Sequence, residues 1–222
     1  MKDIPTDIET VFSRYKQDLN KEISQVSDAL SSKEYATDAF NGGNRDYFTS
    51  EDELNAHYNS IESKARKDGL SVLDSLIDDL KEKIDLGLRI NTATAVEVRV
   101  AIPLILNDES LIRFASDLER RDDYTTILAV SQYGKDDENK SVAANRISNE
   151  LSNYEKSLSE VLRKTEKYIK QALDGDRNSI DGWSDWIQNS IADSKNSYED
   201  LQKAIDGDIE RSPLVDLFAA WK

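Results

Sequence analysis

Apolar residues recur at intervals of three and four along most of the chain, a spacing that places them on one face of an α-helix. The first run of this kind lies between residues 5 and 30. Thr6 and Glu9 form a capping-box pattern at its start, and Asn-Gly-Gly-Asn at residues 41–44 is typical of a turn. The pattern predicts an N-terminal helix to about Leu30, followed by a linker.

Two more amphipathic runs follow this linker. Ser50 and Glu53 have capping-box spacing ahead of the first run, Gly69 is placed to end it, and the second run ends near Gly87. One continuous helix passing through Gly69 is the alternative. Both interpretations make residues 1–88 a helical N-terminal region.

The middle region, residues 89–140, has a different pattern. Residues 90–102 read INTATAVEVRVAI, in which β-branched side chains alternate with their neighbours as in a strand. A helical run around residues 111–118 and a β-leaning stretch at 124–133 follow. The pattern indicates a small α/β insert, and the alternative is that tertiary packing makes both stretches helical.

The strongest pattern is a heptad repeat in the C-terminal region, residues 141–222. Its seam steps by fours and threes through Ile147, Leu151, Tyr154, Leu158, Val161, Thr165, Tyr168 and Ala172. A second run carries Trp183, Ile187, Ile191, Ser194, Tyr198, Leu201 and Ile205. The short connection between them, around residues 174–178, predicts an antiparallel hairpin. We therefore expect a mainly α fold, an elongated helical bundle with a long coiled-coil-like C-terminal αα-hairpin.

A short amphipathic segment ends the chain. Ser212 and Pro213 have the order of an N-cap and a first helical residue. The apolar residues that follow are candidates for partner binding: Leu214, Leu217, Phe218 and Trp221. Two interpretations stay open, since such a helix either folds back on its own bundle or docks into a groove of another protein.

The charge of the chain excludes some classes of partner. A net charge of −15 argues against direct binding of nucleic acid or of an anionic membrane, and it leaves a basic protein partner open. No uncharged apolar run approaches the ~18–20 residues that span a bilayer. The N-terminus reads MKDIPTDIE, unlike a signal peptide, and the chain has no cysteine. We expect a cytoplasmic protein.

The Asp-Gly-Asp sequence at residues 174–176 resembles the start of a calcium loop, and it recurs at residues 206–208. The candidate ligands are Asp174, Asp176, Asn178 and Asp185. However, Ser179 stands where an EF-hand needs glycine, and the last ligand is an Asp instead of a Glu. An apolar helix end followed by an acid and a glycine fits helix termination better. We therefore treat this turn as a weak metal candidate and expect no cofactor.

No constellation of catalytic residues is evident. His57 is the only histidine, and it follows Glu53 by one helical turn. Phosphate loops and nucleophile elbows are absent from the sequence, and the paired acids fall on polar stretches. The sequence does not indicate an enzyme.

Three hypotheses for function follow. The first is a non-catalytic helical interaction module, such as an assembly factor, adaptor or scaffold of the bacterial or phage accessory type, with the heptad seam as a route to homo-oligomers. The second is an acidic inhibitor that mimics nucleic acid, because residues 174–210 carry a net charge of −7 against +2 for residues 141–173. The third and weakest is a regulatory domain of a larger enzyme, centred on residues 90–133.

Overall fold

The structure consists of four helices over the residues that it describes. It is a computed structural model that describes the backbone of residues 1–107 and 137–206, and the side chains of residues 1–95 and 146–205. The helices are α1 (Ile4–Asn41), α2 (Glu51–Asn107), α3 (Asp137–Leu173) and α4 (Arg177–Asp206). These two backbone ranges contain no β-strand. The predicted mainly α bundle is confirmed.

The chain forms two compact units, and each unit combines segments that are distant in sequence. The first contains Met1–Ile4, Asp85–Leu158 and Asp193–Lys222, and the second contains Pro5–Ile84 and Ser159–Ala192. Helices α2, α3 and α4 therefore contribute to both units. The predicted division into regions 1–88, 89–140 and 141–222 stays a prediction.

In the second unit, packing contacts and a hydrogen bond join the four helices in a closed cycle. They are Phe12 with Trp183 (α1–α4), Tyr15 with Asp79 (α1–α2), Gly69 with Leu173 (α2–α3) and Tyr168 with Trp186 (α3–α4). The apolar faces of the helices fill the space between them, and Ile8, Phe12 and Leu19 of α1 are at most 1% exposed. Each side chain of this size stabilises the fold by about 1.5–3 kcal/mol when fully buried.

Helix α1 is longer than its pattern predicts at both ends. It begins at Ile4, so Thr6 lies inside the helix and the capping box predicted there is wrong. It also continues to Asn41, through residues that we assigned to a linker after Leu30. The apolar stripe becomes sparse there, but Phe40 is still largely buried and the polar residues between are compatible with a helix. The predicted turn at residues 41–44 is confirmed, because Asn44 N–H donates to the carbonyl of Ala39 at 3.0 Å.

Helix α2 passes through both glycines that were candidates for helix ends. The alternative of one continuous helix through Gly69 is confirmed, and the predicted ends near Gly69 and Gly87 are wrong. A Cβ atom at Gly69 would lie 2.5 Å from Cδ2 of Leu173, and one at Gly87 would collide with Ile4. These glycines are therefore sites of close packing between segments and do not end the helix.

The strand predicted at residues 90–102 is wrong, because this stretch belongs to α2. Asn91 and Ala95 continue the buried stripe from Ile84 and Gly87 at helical spacing. Thr94 Oγ1 donates to the carbonyl of Ile90 at 3.1 Å, a bond that a β-branched threonine makes within a helix. The small, polar members of this stripe hid the helical period from a search for apolar residues. The second β-leaning stretch, residues 124–133, lies outside the described residues.

Helices α3 and α4 form the predicted antiparallel hairpin. Ring centroids lie 5.7 Å apart for Tyr154 and Tyr198, and 4.7 Å apart for Tyr168 and Trp186. The members of each pair stand at nearly equal distances along the chain on either side of Asp176, as an antiparallel register requires. Most of the heptad seam is buried within the single chain: Ile147, Tyr154, Leu158, Val161, Thr165 and Ala172.

Candidate functional site

Local contacts fix the connection between α1 and α2. Gly43 has a φ of 95°, which is the left-handed conformation that closes α1. Asn44 Oδ1 then accepts the backbone N–H of Asp46 at 3.0 Å, and the Arg45 guanidinium lies 3.6 Å from the ring centroid of Phe40. The chain between the two helices is therefore held by hydrogen bonds and ring contacts on its N-terminal side.

A capping box fixes the other side of the connection. Ser50 Oγ accepts the N–H of Glu53 at 3.2 Å, as the sequence predicts. The Glu53 carboxylate accepts hydrogen bonds from both the backbone N–H and the hydroxyl of Thr49, at 2.9 and 2.7 Å. These bonds, the backbone one above all, lower the pKa of Glu53 below its usual value. The cap anchors the two aromatic residues that precede it.

These anchors present a group of aromatic and apolar side chains that we call the loop surface: Tyr47, Phe48, His57, Tyr58 and Ile61. The ring of Phe48 lies 5.6 Å from that of His57 and 6.0 Å from that of Tyr58, and the last two are 5.1 Å apart. Tyr47 precedes this cluster and is 84% exposed. Ile61, one turn after His57 on α2, is 40% exposed. Of these five side chains, Tyr47, His57 and Ile61 are exposed, and Phe48 and Tyr58 are half-buried.

Carboxylates outnumber cationic side chains around the loop surface, where Lys33 of α1 donates to Asn59 and Arg45 precedes Asp46. Residues 46–62 contain five Asp or Glu residues and no Lys or Arg. Of these acids, Glu53 is engaged in the cap of α2.

The residues predicted as candidate metal ligands have other roles in the structure. Gly175 has a φ of 83° and Asp176 N–H donates to the carbonyl of Gln171 at 3.0 Å, so this turn ends α3 as predicted. Asp174 Oδ1 lies 2.5 Å from the Arg66 guanidinium. Asp176 accepts the N–H of Ser179 at 2.9 Å and caps α4.

The two remaining candidate ligands, Asn178 and Asp185, are exposed on α4. Over the described residues, no three Asp, Glu or His side chains come close enough together to hold a metal ion. The structure therefore assigns the turn a structural role in joining α3 to α4.

A second exposed apolar area lies on α2. Leu86 and Ile90 are 48% and 42% exposed, and beside them runs a shallow, open groove of about 580 Å³. We call it the α2 groove, and its lining residues are Asp85, Leu88, Arg89, Thr92 and Ala93. Its two charged residues have opposite signs, so it differs from the loop surface in its electrostatics.

The described part of the chain shows no site at the other positions considered from the sequence. The partner-binding candidates Leu214, Leu217, Phe218 and Trp221 lie outside the described residues. None of the described helices contains a stretch that is long and apolar enough to cross a membrane.

The hydrophobic pattern of the sequence did not predict the loop surface. Its signal was present, since two adjacent aromatic residues stand directly before a capping box in an acidic stretch. What the sequence did not show is that the ring of Phe48, in a connection, lies beside those of His57 and Tyr58 on the second turn of α2. That proximity follows from the way in which Thr49 and Ser50 cap α2.

The chain matches no model of a known protein family, no curated protein and no solved structure.

Proposed function

We propose that this protein is a non-catalytic helical interaction module that binds a protein partner through the loop surface. The observation that carries the proposal is the exposure of Tyr47 at 84%, directly before Phe48 of a cluster of three rings. Tyrosine and other aromatic residues dominate the energetics of protein interfaces. The bundle does not need these side chains in its core, because apolar residues of all four helices already fill it.

Local contacts also fix the backbone on either side of Tyr47. The turn at Gly43, the stacking of Arg45 on Phe40 and the cap at Ser50 restrict the backbone on both sides of Tyr47. A preorganised surface loses less conformational entropy on binding, which favours affinity. This support is the reason for preferring the loop surface to the α2 groove.

Self-association through the heptad seam is less favourable in this proposal. Leu158, Val161 and Thr165 have no exposed area in the single chain, so a second copy would reach them only if the hairpin opened. We propose that the partner binds outside the seam. The absence of cysteine fits a reducing compartment, and we place the module in the cytoplasm.

The test is capture of a partner from a native lysate with matched pairs of variants. Tyr47→Ala and Ile61→Ala remove side chains of the loop surface. Tyr35→Ala and Ile90→Ala are their controls, because Tyr35 is 78% and Ile90 is 42% exposed and neither belongs to the loop surface. We expect the first two variants to reduce capture of a specific partner by about tenfold or more, and the controls to retain it.

Equal capture by all four variants and the unaltered chain would refute the loop surface as the binding site. Loss of capture by Ile90→Ala alone would move the site to the α2 groove. Circular dichroism of each variant shows whether the helices are intact, so that a folding defect is not mistaken for a loss of binding.

We keep the nucleic-acid mimic as a second proposal because α4 exposes a series of carboxylates: Asp181, Asp185, Asp193, Glu199 and Asp200. A mimic that places carboxylates where a partner expects phosphates competes with DNA, and its affinity falls steeply as salt rises. Competition by the protein for a basic DNA-binding domain, lost when Asp181 and Asp185 are changed to Asn, would support it. Binding that these changes leave unaltered would contradict it.

A further inference from the structure

We infer that the loop surface takes a cationic amphipathic segment of a protein, in which apolar side chains and Lys or Arg residues share one face. This inference rests on the proposed function and adds the chemical class of the partner. It draws on two observations, the sign of the charge around the surface and the kind of side chains within it.

Only nearby charges decide which segment is attracted. At physiological ionic strength the screening length is about 8 Å, so the net charge of the whole chain contributes little at one surface. The local count favours negative charge: residues 46–62 hold five carboxylates, against the flanking Arg45 and Lys64 and against Lys33, which donates to Asn59. Asp46 precedes Tyr47 directly, and Glu62 follows Ile61 directly. A cationic segment is therefore attracted and an anionic one is repelled.

The side chains of the loop surface can contact both the methylene groups and the cationic head groups of Lys and Arg. The faces of exposed aromatic rings attract cations, and Tyr47 offers such a ring directly after Asp46. Ile61 offers an aliphatic contact of the kind that covers the methylene stems of long cationic side chains. A purely polar cationic segment leaves these apolar contacts unused, so we expect the partner to carry apolar residues as well.

The α2 groove provides the contrast within the same molecule. It also exposes apolar side chains, but Asp85 and Arg89 balance each other in its lining. It therefore has no comparable preference for cationic segments. Any segment that binds by apolar contact alone has the α2 groove as an alternative, which makes Ile90→Ala the proper control for Ile61→Ala.

Three synthetic peptides of equal length serve as probes. The first has Lys and Leu at amphipathic helical spacing, the second has Ser in place of every Leu, and the third has Glu in place of every Lys. Binding is measured by calorimetry with the full chain. The chain contains a single histidine, so the imidazole resonances of His57 report contact at the loop surface in every titration.

We expect the first peptide to bind, to shift the His57 resonances, and to bind at least about tenfold more tightly than the other two. Tyr47→Ala and Ile61→Ala weaken its binding by about tenfold, whereas Tyr35→Ala and Ile90→Ala do not. Tyr47→Phe retains binding, because the ring face is kept. Raising the salt concentration from about 0.05 to 0.5 M weakens binding without abolishing it, since the apolar contacts remain.

Other outcomes overturn the inference in distinguishable ways. If the peptide with Glu binds as well as the one with Lys, the partner class is wrong and the interaction surface survives. If the peptide with Ser binds as well as the one with Leu, the attraction is unspecific and the aromatic side chains have no part in it. If no peptide shifts the His57 resonances while lysate capture still depends on Tyr47, the inferred class of partner is wrong and the proposed function stands. If lysate capture is also independent of Tyr47, the proposed function fails.

Discussion

Asn91 holds the backbone of Lys2 with two hydrogen bonds, although the two residues are 89 positions apart. Its Oδ1 accepts the N–H of Lys2 at 2.6 Å, and its Nδ2 donates to the carbonyl of Lys2 at 2.9 Å. The side chain of Asn91 has no exposed area. A buried amide in the middle of α2 thus pairs with the backbone of the segment that precedes α1, and this explains how a polar residue occupies the core stripe of a helix.

Replacing Asn91 by Asp tests this pairing. The carboxylate keeps an acceptor for the N–H of Lys2, but it has no donor for the carbonyl and brings a charge into a buried site. We expect Asn91→Asp to lower the free energy of unfolding by about 1–3 kcal/mol, measured by chemical denaturation.

Asn59→Asp is the matched control on the same helix. Asn59 is exposed, and its Oδ1 accepts a hydrogen bond from Lys33 that a carboxylate also accepts. We expect a change of at most about 0.5 kcal/mol for the control. Equal effects of the two substitutions would show that the bonds to Lys2 do not stabilise the fold.

The helical spacing of apolar residues was sufficient to predict the class of fold and the hairpin of α3 and α4. It works for α3 and α4 because their buried residues are mainly large and apolar, as in Leu158, Val161 and Ile187. It fails in α2 because the buried stripe there includes Gly87, Asn91 and Ala95, which are small or polar and give little hydrophobic signal. Packing partners, which the sequence does not show, decide such positions.

Helix ends were predictable where a glycine adopts a left-handed conformation and not where it allows close packing. Gly175 and Gly43 have positive φ angles, whereas Gly69 and Gly87 lie within a helix beside large side chains. From sequence alone the two uses of glycine are alike. The same limit applied to the loop surface, since its aromatic residues come together only through the geometry of the cap.

The two glycines with positive φ differ in their surroundings. Substituting each of them therefore separates the energetic cost of the left-handed backbone conformation from the cost of a steric collision. A Cβ atom at Gly43 would meet nothing within 4 Å, whereas one at Gly175 would lie 2.6 Å from Cδ1 of Leu30. We expect Gly43→Ala to destabilise the protein by about 1–2 kcal/mol, the cost of the left-handed conformation, and Gly175→Ala to destabilise it more. Thermal or chemical denaturation measures both.

Leu30→Ala makes this comparison specific. In the Leu30→Ala background, the additional loss of stability caused by Gly175→Ala should be smaller, because the side chain with which the new methyl group collides is gone. An extra loss that persists without Leu30 would mean that the turn between α3 and α4 is sensitive for another reason.

Gly69 packs against Leu173. Whether Gly69→Ala stabilises or destabilises the protein therefore depends on the side chain at residue 173. Alanine normally stabilises a helix interior by about 1 kcal/mol relative to glycine. At Gly69 its methyl group would lie 2.5 Å from Cδ2 of Leu173, a side chain with no exposed area. We expect Gly69→Ala to destabilise the protein by about 1–2 kcal/mol through overpacking.

A double-mutant cycle provides the decisive measurement for this pair. In the Leu173→Ala background the collision is removed, so Gly69→Ala should stabilise the protein by up to about 1 kcal/mol. Additive effects of the two substitutions would contradict direct packing of α2 on α3 at this point.

The cap of α4 gives the stability of the protein a dependence on pH in the acidic range. Asp176 Oδ2 accepts hydrogen bonds from the hydroxyl of Ser179 at 2.5 Å and from its N–H at 2.9 Å. These bonds, with the hydroxyl first, hold the pKa of Asp176 below its ordinary value. Because the folded-state pKa is the lower one, the stabilisation is fully present above the pKa of about 3.9 of an unfolded Asp. It is lost as the pH falls through the folded-state pKa.

Asp176→Asn tests the sign of this dependence, because asparagine keeps a capping oxygen but does not titrate. We expect the unaltered protein to exceed the variant in stability at neutral pH and to lose that advantage as the pH falls below about 4, measured by denaturation at a series of pH values. Asp181→Asn is the control, since Asp181 is exposed on α4 and does not cap it. An advantage of Asp176 that stayed constant down to the lowest pH would contradict the role of its carboxylate as the cap.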